Sequence, residues 1–396
     1  MRKAIQFGAG NIGRGFTGQL FSESGFEVVF VDVVADLVGL INERRSYPIR
    51  LAQENPEIVI VSNVRAVSGL DVPAVAREIR TADLMCTAVG VNVLPRIAPT
   101  IAAGVKARAD AGVEAPINII ICENLQHMAA FLKSEVKKAL PEAHHAYLDA
   151  RIGFVESVVG RMVPVMTDQQ KREDPLLVVV EPYKHLPVAM SGIKGEFPET
   201  AGIEPRENFQ AFVDTKLYTH NAGHAASAYF GYLKGYEFIY QAMRDAGINA
   251  AVRAVLAETG KALIAKHGFD PVEHQAHIDD LLTRFANVAL GDQVARVGGD
   301  PMRKLGPEDR LVGGAKLALE YGVFPINVCK AIAAGLRFDP PGDRGALAVQ
   351  ELVKHDGVRA ALGQISGLAK DSPLTEEIVR QYSLVVSEFG LRTSDL

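Results

Sequence analysis

The sequence contains 396 residues, of which 48% are apolar and 22% are charged. This length corresponds to two or three domains, and the apolar share is sufficient for packed cores, so a disordered chain is excluded. Glycine and proline occur at ordinary frequencies, which excludes collagen-like and low-complexity proteins. The net charge of −5 lacks the basic excess of nucleic-acid-binding proteins, so we expect no nucleic-acid partner.

The cysteines and the N-terminus indicate the compartment. Cys86, Cys122 and Cys329 lie far apart in apolar stretches, and none belongs to a Cys-x-x-Cys pair. This pattern is typical of reduced, buried thiols in a cytosolic protein. The apolar run after Met1 is too short for a secretory signal, and no stretch of 18 apolar residues could cross a membrane. We therefore expect a cytoplasmic protein without a membrane partner.

The first half of the chain alternates strand-like and helix-like segments. Such alternation predicts a parallel sheet with helices on both faces, which is a Rossmann-type doubly wound α/β fold. Two further strands, at 176–180 and 186–190, are expected at the edge of this sheet. The predicted core strands span residues 3–7, 27–31, 57–61, 84–88 and 117–121, and the helices span 11–24, 34–45, 72–80 and 91–109.

Beyond a stretch rich in glycine and proline at 192–205, strand signals nearly vanish. We therefore predict a Rossmann-type domain over residues 1–192 and an all-helical C-terminal domain over residues 193–396. The predicted helices of the second domain span 208–233, 236–245, 249–266, 271–285, 315–321, 326–338, 345–354 and 376–388.

A glycine motif follows the first predicted strand and opens the first helix, which is the position of a dinucleotide-binding fingerprint. The first glycine permits a tight turn, the second lets a pyrophosphate approach the backbone, and the third allows close helix–strand packing. The helix N-terminus supplies free N–H groups for the phosphates. The alternative is a glycine turn without a ligand. Directly after Phe7, the motif consists of Gly8, Ala9, Gly10, Asn11, Ile12 and Gly13.

Asp32 ends the second predicted strand, 24 residues after Gly8. A carboxylate at this position accepts hydrogen bonds from the ribose hydroxyls and repels a 2′-phosphate. Val33 and Val34, which follow, offer no cation for such a phosphate. The sequence therefore favours NAD over NADP as cofactor.

Small or polar residues follow two other predicted strands. Val89 comes after the strand at 84–88, and Glu123 and Asn124 come after the strand at 117–121. The carboxyl ends of parallel strands form the ligand-binding edge of such a sheet, so these residues are candidates for the cofactor site. Alternatively, Glu123 and Asn124 cap the next helix.

The helical domain contains Lys216, Asn221 and His224, whose α-helical spacing places all three on one half of a helix. A lysine can move a proton, an amide can stabilise an oxyanion, and an imidazole can orient a hydroxyl. This combination suits the interconversion of an alcohol and a carbonyl. The alternative is a polar surface face.

Two histidine pairs have spacings found in metal sites, namely His220 with His224 and His274 with His277. A catalytic zinc helix would carry glutamate after the first histidine, whereas Asn221 stands there. We expect no metal. The remaining histidines, expected at the surface, are His144, His145, His185, His267 and His355.

A basic cluster lies among glycines in a segment expected to be a loop. Several cations in an otherwise acidic protein indicate a site that binds an anion, although a solvated loop would have the same pattern. The cluster consists of Arg296, Arg303, Lys304 and Arg310.

Together these segments resemble the polyol-specific long-chain dehydrogenases, over residues 1 to about 370. The Lys-x₄-Asn-x₂-His motif is the most specific of them. One departure is that Gly160 replaces the aspartate of the family's Val-Asp-Arg-Ile-x-Pro signature. The matching segments are residues 8–15, 122–124, 160–164, 216–224, 303–305 and 309–311.

The resemblance implies a zinc-independent enzyme that transfers a hydride between NAD and a polyol or its keto form. It assigns Lys216 as the catalytic acid/base, Asn124 and Asn221 to the oxyanion, and His224 to substrate orientation. It also assigns substrate contacts to Arg296 and Lys304.

Arg303 stands before Lys304 where members acting only on free polyols carry glutamine, which favours a sugar phosphate as the small-molecule partner. We therefore expect interconversion of D-mannitol 1-phosphate and D-fructose 6-phosphate. The alternatives are a free-polyol dehydrogenase or uronate reductase of the same family, and an NAD-sensing binding module without catalysis.

Overall fold

The structure is a computed structural model that describes residues 1–164 and 166–389. It divides into two compact units, the first spanning Met1–Phe209 and the second beginning at Gln210. The strands, all in the first unit, are β1 (Lys3–Phe7), β2 (Glu27–Asp32), β3 (Ser46–Leu51), β4 (Ile58–Ser62), β5 (Val64–Ser68), β6 (Leu84–Thr87), β7 (Ile117–Ile121), β8 (Ile152–Glu156), β9 (Val178–Val180), β10 (Leu186–Ala189) and β11 (Ile203–Arg206).

The main sheet of the first unit has six parallel strands in the order β5-β2-β1-β6-β7-β8. Numbered along the chain within this sheet, the order is 3-2-1-4-5-6, the doubly wound order of a Rossmann domain. The predicted fold class is therefore confirmed. The order reverses between β1 and β6, so the crevice for a ligand opens at the carboxyl ends of these two strands.

Both faces of the sheet are buried, and β2 illustrates why. Val28 and Phe30 pack in the core on one face, whereas Val29 and Val31 pack in the core on the other. A strand that is covered on both sides needs apolar residues along its central positions. The helices of this unit are α1 (Gly18–Glu23), α2 (Ala35–Arg44), α3 (Val72–Arg80), α4 (Leu94–Asp110), α5 (Met128–Ala139), α6 (His145–Arg151) and α7 (Asp168–Glu173).

Three predicted strands were wrongly placed in the main sheet. The segment predicted at 57–61 is β4, which pairs antiparallel with β3 in a small sheet, and the third strand of the main sheet is β5. Asn63, with a φ of +55°, turns the chain between β4 and β5, and this one-residue connection concealed the second strand. The segments at 176–180 and 186–190 do not extend the main sheet, because β9 pairs with β3 and β10 pairs with β11.

Residues 193–209, expected to belong to the helical domain, lie in the first unit because β11 pairs with β10 there. From Gln210 onwards the described residues contain no named strand, and the predicted helical domain is confirmed. The helices that follow are α8 (Phe209–Thr215), α9 (Ala222–Leu233), α10 (Ile239–Arg244), α11 (Ala246–His267), α12 (Pro271–Phe285), α13 (Val294–Gly298), α14 (Pro301–Lys304), α15 (Val312–Glu320), α16 (Ile326–Gly335), α17 (Arg344–Asp356), α18 (Val358–Ser366) and α19 (Pro373–Phe389).

In the described part of the chain, no helix combines the length and the apolar character that a membrane crossing requires. The three cysteines are free and buried, as expected.

Candidate active site

The glycine motif forms a tight turn between β1 and the first helix. Gly8 has a φ of +88°, and a Cβ there would overlap the carbonyl oxygen of Ala88. A Cβ on Gly13 would in turn overlap the carbonyl oxygen of Gly8. Glycine is therefore required at both positions. Gly8 needs it for its backbone conformation, and both residues need it for close packing.

Gly10 differs from the two other glycines of the motif. It is exposed, and a Cβ added to it would meet no atom within 4 Å. Asn11 beside it is also exposed, and Ile12 is partly buried. This open stretch of backbone lies directly before the helix, where N–H groups are available to an anion. By contrast, the side chain of Phe7 is buried in the core.

Asp32 has a fixed orientation. Its Oδ2 accepts a hydrogen bond from the backbone N–H of Ala9 at 2.7 Å, and its Oδ1 accepts one from Val34 N–H at 3.0 Å. The neighbouring Val33 is 63% exposed and provides no cation near the carboxylate. Together with the open Gly10 backbone, this arrangement fits the ribose and pyrophosphate of NAD.

Glu123 joins the ends of β6 and β7. Its buried carboxylate accepts hydrogen bonds from Thr87 Oγ1 at 2.7 Å and from Val89 N–H at 3.0 Å. Burial raises the pKa of Glu123, although these hydrogen bonds oppose the shift. The carboxylate therefore holds the Val89 backbone in place and does not cap the next helix, which begins only at Met128. Asn124, next to Glu123, is exposed at this edge.

In the second unit, Lys216 to Asn221 form a π-helical turn between α8 and α9. The N–H of Ala222 donates to the carbonyl of Leu217, a separation of five residues in place of four. The α-helical angles assumed from the sequence therefore do not apply to this turn. Because residues five apart lie about one π turn from each other, Lys216 and Asn221 occupy one side of the helix. Both side chains and that of His224 are partly buried.

The ring of His224 lies between an aromatic and a carboxylate. It stacks on Phe285, with ring centroids 4.8 Å apart and an angle of 9° between the planes. Its Nε2 lies 3.2 Å from Oδ2 of Asp292, whose other oxygen is ion-paired with Arg296. Burial alone would raise the pKa of Asp292, but His224 and Arg296 outweigh it and lower that pKa.

The histidine pairs do not form a metal cluster. In the described residues no group of three or more His, Cys, Asp or Glu side chains could hold a metal ion. Burial lowers the pKa of His274 to about 4 and that of His220 well below its ordinary value, so both rings are neutral at pH 7. Of the histidines expected at the surface, His267 is instead largely buried and paired with Asp214.

The basic cluster is carried mostly by short helices and not by a loop, so that expectation was wrong. Arg296 lies in α13, and Arg303 and Lys304 lie in α14. The sequence contains the signals for α14, because Asp300 caps it through a hydrogen bond from the N–H of Arg303, and Pro301 is its first residue.

Lys304 is buried and donates to the carbonyl oxygen of Val297 at 2.6 Å. Burial, together with the neighbouring Arg310 and Arg303, lowers the pKa of Lys304 to about 7. Arg303 is exposed and lies 3.2 Å from Asp309, which also pairs with Arg310 at 2.7 Å. The cluster thus combines one buried amine with two guanidinium groups that share an aspartate.

Gly160 faces the ring of Tyr183, at 3.2 Å from an added Cβ. The adjacent Arg161 is buried and donates to backbone carbonyls of Gly15, at 2.9 Å, and Glu181, at 2.7 Å. With glycine at position 160, Arg161 is held within the first unit by these two main-chain oxygens and by Oε1 of Gln19 at 2.7 Å.

Two residues of the candidate site were not found from the sequence: Phe285 and Asp292. Asp309 lies in the matching segment 309–311 but was given no role there. Asp292 precedes Arg296 by four residues, a spacing typical of ion pairs on helices, and this signal was available. Phe285 looks like an ordinary core position in α12, and nothing in its sequence context indicates that it stacks on an imidazole.

Comparisons with known proteins identify the family of the chain. Residues 2–201 match the mannitol dehydrogenase Rossmann domain, and residues 208–386 match the mannitol dehydrogenase C-terminal domain. A mannitol-1-phosphate 5-dehydrogenase of Brevibacillus brevis is 43% identical over 387 residues, covering 98% of this chain and 99% of that protein.

Two solved structures have the same fold. Mannitol 2-dehydrogenase of Pseudomonas fluorescens, in a ternary complex with NAD and D-mannitol, aligns with a TM-score of 0.74 at 18% identity, covering 98% of this chain and 93% of that chain. A substrate-free D-sorbitol dehydrogenase aligns with a TM-score of 0.83 at 16% identity. The alignment covers 99% of this chain and 95% of that chain. The chain belongs to the mannitol dehydrogenase family and is an oxidoreductase of that family.

Proposed function

We propose that the enzyme interconverts D-mannitol 1-phosphate and D-fructose 6-phosphate. The main support is the 43% identity, over 98% of the chain, with a mannitol-1-phosphate 5-dehydrogenase. The cations around Lys304 give this proposal a physical basis, since a phosphate dianion requires charged donors that a free polyol does not. Arg303 is exposed and could reach such a group.

NAD, when bound, accepts the hydride from the carbon that is oxidised. We assign its phosphates to residues 8–13 and its ribose to Asp32. Phe7 supports that site by packing in the core beneath the glycine turn, and Glu123 supports it by holding the backbone N–H of Val89. The fit rests on the open Gly10 backbone and the oriented Asp32 carboxylate.

On the substrate side, Lys216 takes the proton of the hydroxyl on C5 of the polyol phosphate and returns it in the reverse reaction. The amide of Asn221 donates a hydrogen bond to the same oxygen as it becomes a carbonyl. Asn124 keeps the oxyanion role that the family resemblance implies. His224 orients a neighbouring hydroxyl. Arg296, Arg303 and Lys304 bind the remainder of the substrate, with the phosphate assigned to the last two.

Kinetics with matched substrates test this proposal. Consumption of NADH is measured with D-fructose 6-phosphate, D-fructose and D-fructuronate. We expect kcat/KM for the phosphorylated ketose to exceed the other two by at least about a hundredfold, the effect of two charge-assisted hydrogen bonds. Preference for fructose or fructuronate would assign a different substrate within the family, and no consumption with any of them would favour a binding module.

Arg303→Gln tests the phosphate contact. We expect it to lower kcat/KM for fructose 6-phosphate by about tenfold or more and to leave that for fructose unchanged. Arg359→Gln is the matched control, because Arg359 is an exposed arginine paired with Glu376 outside the cluster. A loss of equal size with both sugars would remove Arg303 from phosphate recognition.

We also propose that this reaction takes place in the cytoplasm. The support is that Cys86 and Cys122 are free thiols with sulfur atoms 3.6 Å apart, a state suited to a reducing compartment. Fractionation of the source cells, followed by the NADH assay on each fraction, tests this assignment.

A further inference from the structure

We propose that Asp292 is a positioning residue that holds His224 and Arg296 side by side, so that the two can contact one substrate molecule. This inference rests on the proposed function, which assigns both of its neighbours to the substrate. Asp292 itself has no assigned contact with substrate or cofactor. It acts through the two side chains that its carboxylate joins.

The carboxylate is shared between the two partners. Its Oδ2 lies 3.2 Å from Nε2 of His224, and its Oδ1 pairs with Nη2 of Arg296. Asp292 is only 7% exposed, whereas the side chain of Arg296 is 45% exposed. The buried anion therefore anchors a cation whose other donors remain accessible from solvent.

The main chain of Asp292 is itself fixed. Its carbonyl oxygen accepts a hydrogen bond from Ile239 N–H at 2.8 Å, and the next residue, Gln293, forms a β-bridge with Phe238. The segment that carries the carboxylate is thus fastened to the start of α10. A rigid support of this kind is what a precise contact between side chains requires.

The arrangement also restrains the ring of His224. Its Nε2 lies 3.2 Å from Oδ2 of Asp292 without the geometry of a hydrogen bond, so the carboxylate restrains the ring by close contact and by charge. Phe285, stacked on one face of the ring, restricts its rotation. Without Asp292 the direction of the ring loses one of its two restraints.

The test uses the full chain and steady-state kinetics with NADH and fructose 6-phosphate. Asp292→Asn keeps the shape of the side chain and removes its charge. We expect KM for fructose 6-phosphate to rise by about ten- to a hundredfold, with KM for NADH unchanged within about twofold. An unchanged KM for the sugar phosphate, or an equal rise of both KM values, would overturn the proposal.

A double-mutant cycle separates positioning from general stability. In an Arg296→Ala background, Asp292→Asn should raise KM by a much smaller factor than in the wild type, because one of its two partners is already absent. If the double variant raises KM by the product of the factors for the two single variants, the two residues act independently and the proposal is contradicted. Asp292→Glu, which keeps the charge, should recover most of the sugar-phosphate affinity, and it serves as the test variant if Asp292→Asn does not fold. A folded Glu variant with the KM of Arg296→Ala would also count against the proposal.

Asp245→Asn provides the matched control. Asp245 also pairs with a cation, Lys234 at 2.8 Å, and caps α11. Its replacement should lower thermal stability without changing KM for fructose 6-phosphate. The single variants His224→Ala and Arg296→Ala separate a failure of the proposed substrate site from a failure of the positioning role of Asp292. If neither changes this KM, the proposed site itself is wrong; if both raise it while Asp292→Asn does not, only the positioning role fails.

Discussion

The backbone N–H of Ala9 donates a hydrogen bond of 2.7 Å to the carboxylate of Asp32. This bond ties the glycine turn after β1 to the end of β2, the two segments assigned to the pyrophosphate and the ribose. Asp32 is thereby oriented before any cofactor binds, and little side-chain entropy is lost when its remaining lone pairs accept the ribose hydroxyls.

Asp32→Gly should shift the cofactor preference towards NADPH. The substitution removes the charge that repels a 2′-phosphate and the acceptor that binds the 2′-hydroxyl. We expect the ratio of kcat/KM for NADH to that for NADPH to fall by about tenfold or more. Asp36→Asn, which changes an exposed acid in the first turn of α2, should leave the ratio unaltered. A ratio that stays constant in Asp32→Gly would exclude Asp32 from ribose recognition.

Two glycines of the same motif should respond differently to alanine. Gly10→Ala adds a Cβ to open space, so we expect an unchanged melting temperature but weaker NADH binding, measured by fluorescence titration. Gly13→Ala forces a Cβ against the carbonyl of Gly8 and should destabilise the fold by about 1–3 kcal/mol. Normal NADH affinity in a folded Gly10→Ala variant would contradict the phosphate assignment.

Lys216→Ala should reduce turnover by about 10²–10⁴ while NADH binding is retained, since only proton transfer is lost. Stopped-flow measurement of NADH oxidation and a separate binding titration distinguish the two effects. Lys261→Ala removes an exposed lysine of α11 and is the control. If Lys216→Ala turns over at the wild-type rate, Lys216 is not the catalytic acid/base.

The buried amine of Lys304 predicts a pH dependence of substrate affinity. Its pKa of about 7 means that the ammonium is present below neutrality and lost as the pH rises through 7. A sugar phosphate is already largely a dianion there, since its second pKa is near 6. From about pH 6.5 to about pH 8.5 we therefore expect KM for fructose 6-phosphate to rise, towards tenfold per pH unit at most.

Two comparisons test whether Lys304 is responsible. Lys304→Arg keeps its charge at every pH in this range and should flatten the profile. KM for free fructose should change much less with pH, because that sugar carries no phosphate. A slope that persists in Lys304→Arg would assign the titration to another group.

The fold was predictable where one local signal was strong. Predominantly apolar runs such as 117–121 identify buried parallel strands, and the glycine motif after β1 identifies the dinucleotide fold. The third strand of the main sheet was not predictable from periodicity, because only Asn63 separates it from β4. Residues 193–209 were assigned to the wrong side of the boundary because the pairing of β11 with β10 is a tertiary contact.

The candidate site was predictable only as a set of residue types. The spacing of Lys216, Asn221 and His224 indicated a shared face, but an α-helical period cannot reveal that the first two lie in a π turn. Likewise, the cations at 303 and 304 look equivalent in the sequence. Burial makes one of them an amine with a pKa near neutrality and leaves the other an exposed guanidinium.

The wide turn at Lys216–Asn221 has a consequence for how this segment can vary. It accommodates one residue more than regular α winding would use, because each residue in a π turn rotates the chain by a smaller angle. Deletion of a single residue within the turn would therefore restore regular winding and leave α8 and α9 in nearly the same relative phase. A change of one residue in length is compatible with the geometry of this turn, whereas in the regular winding of α9 it would rotate the residues that follow by about 100°.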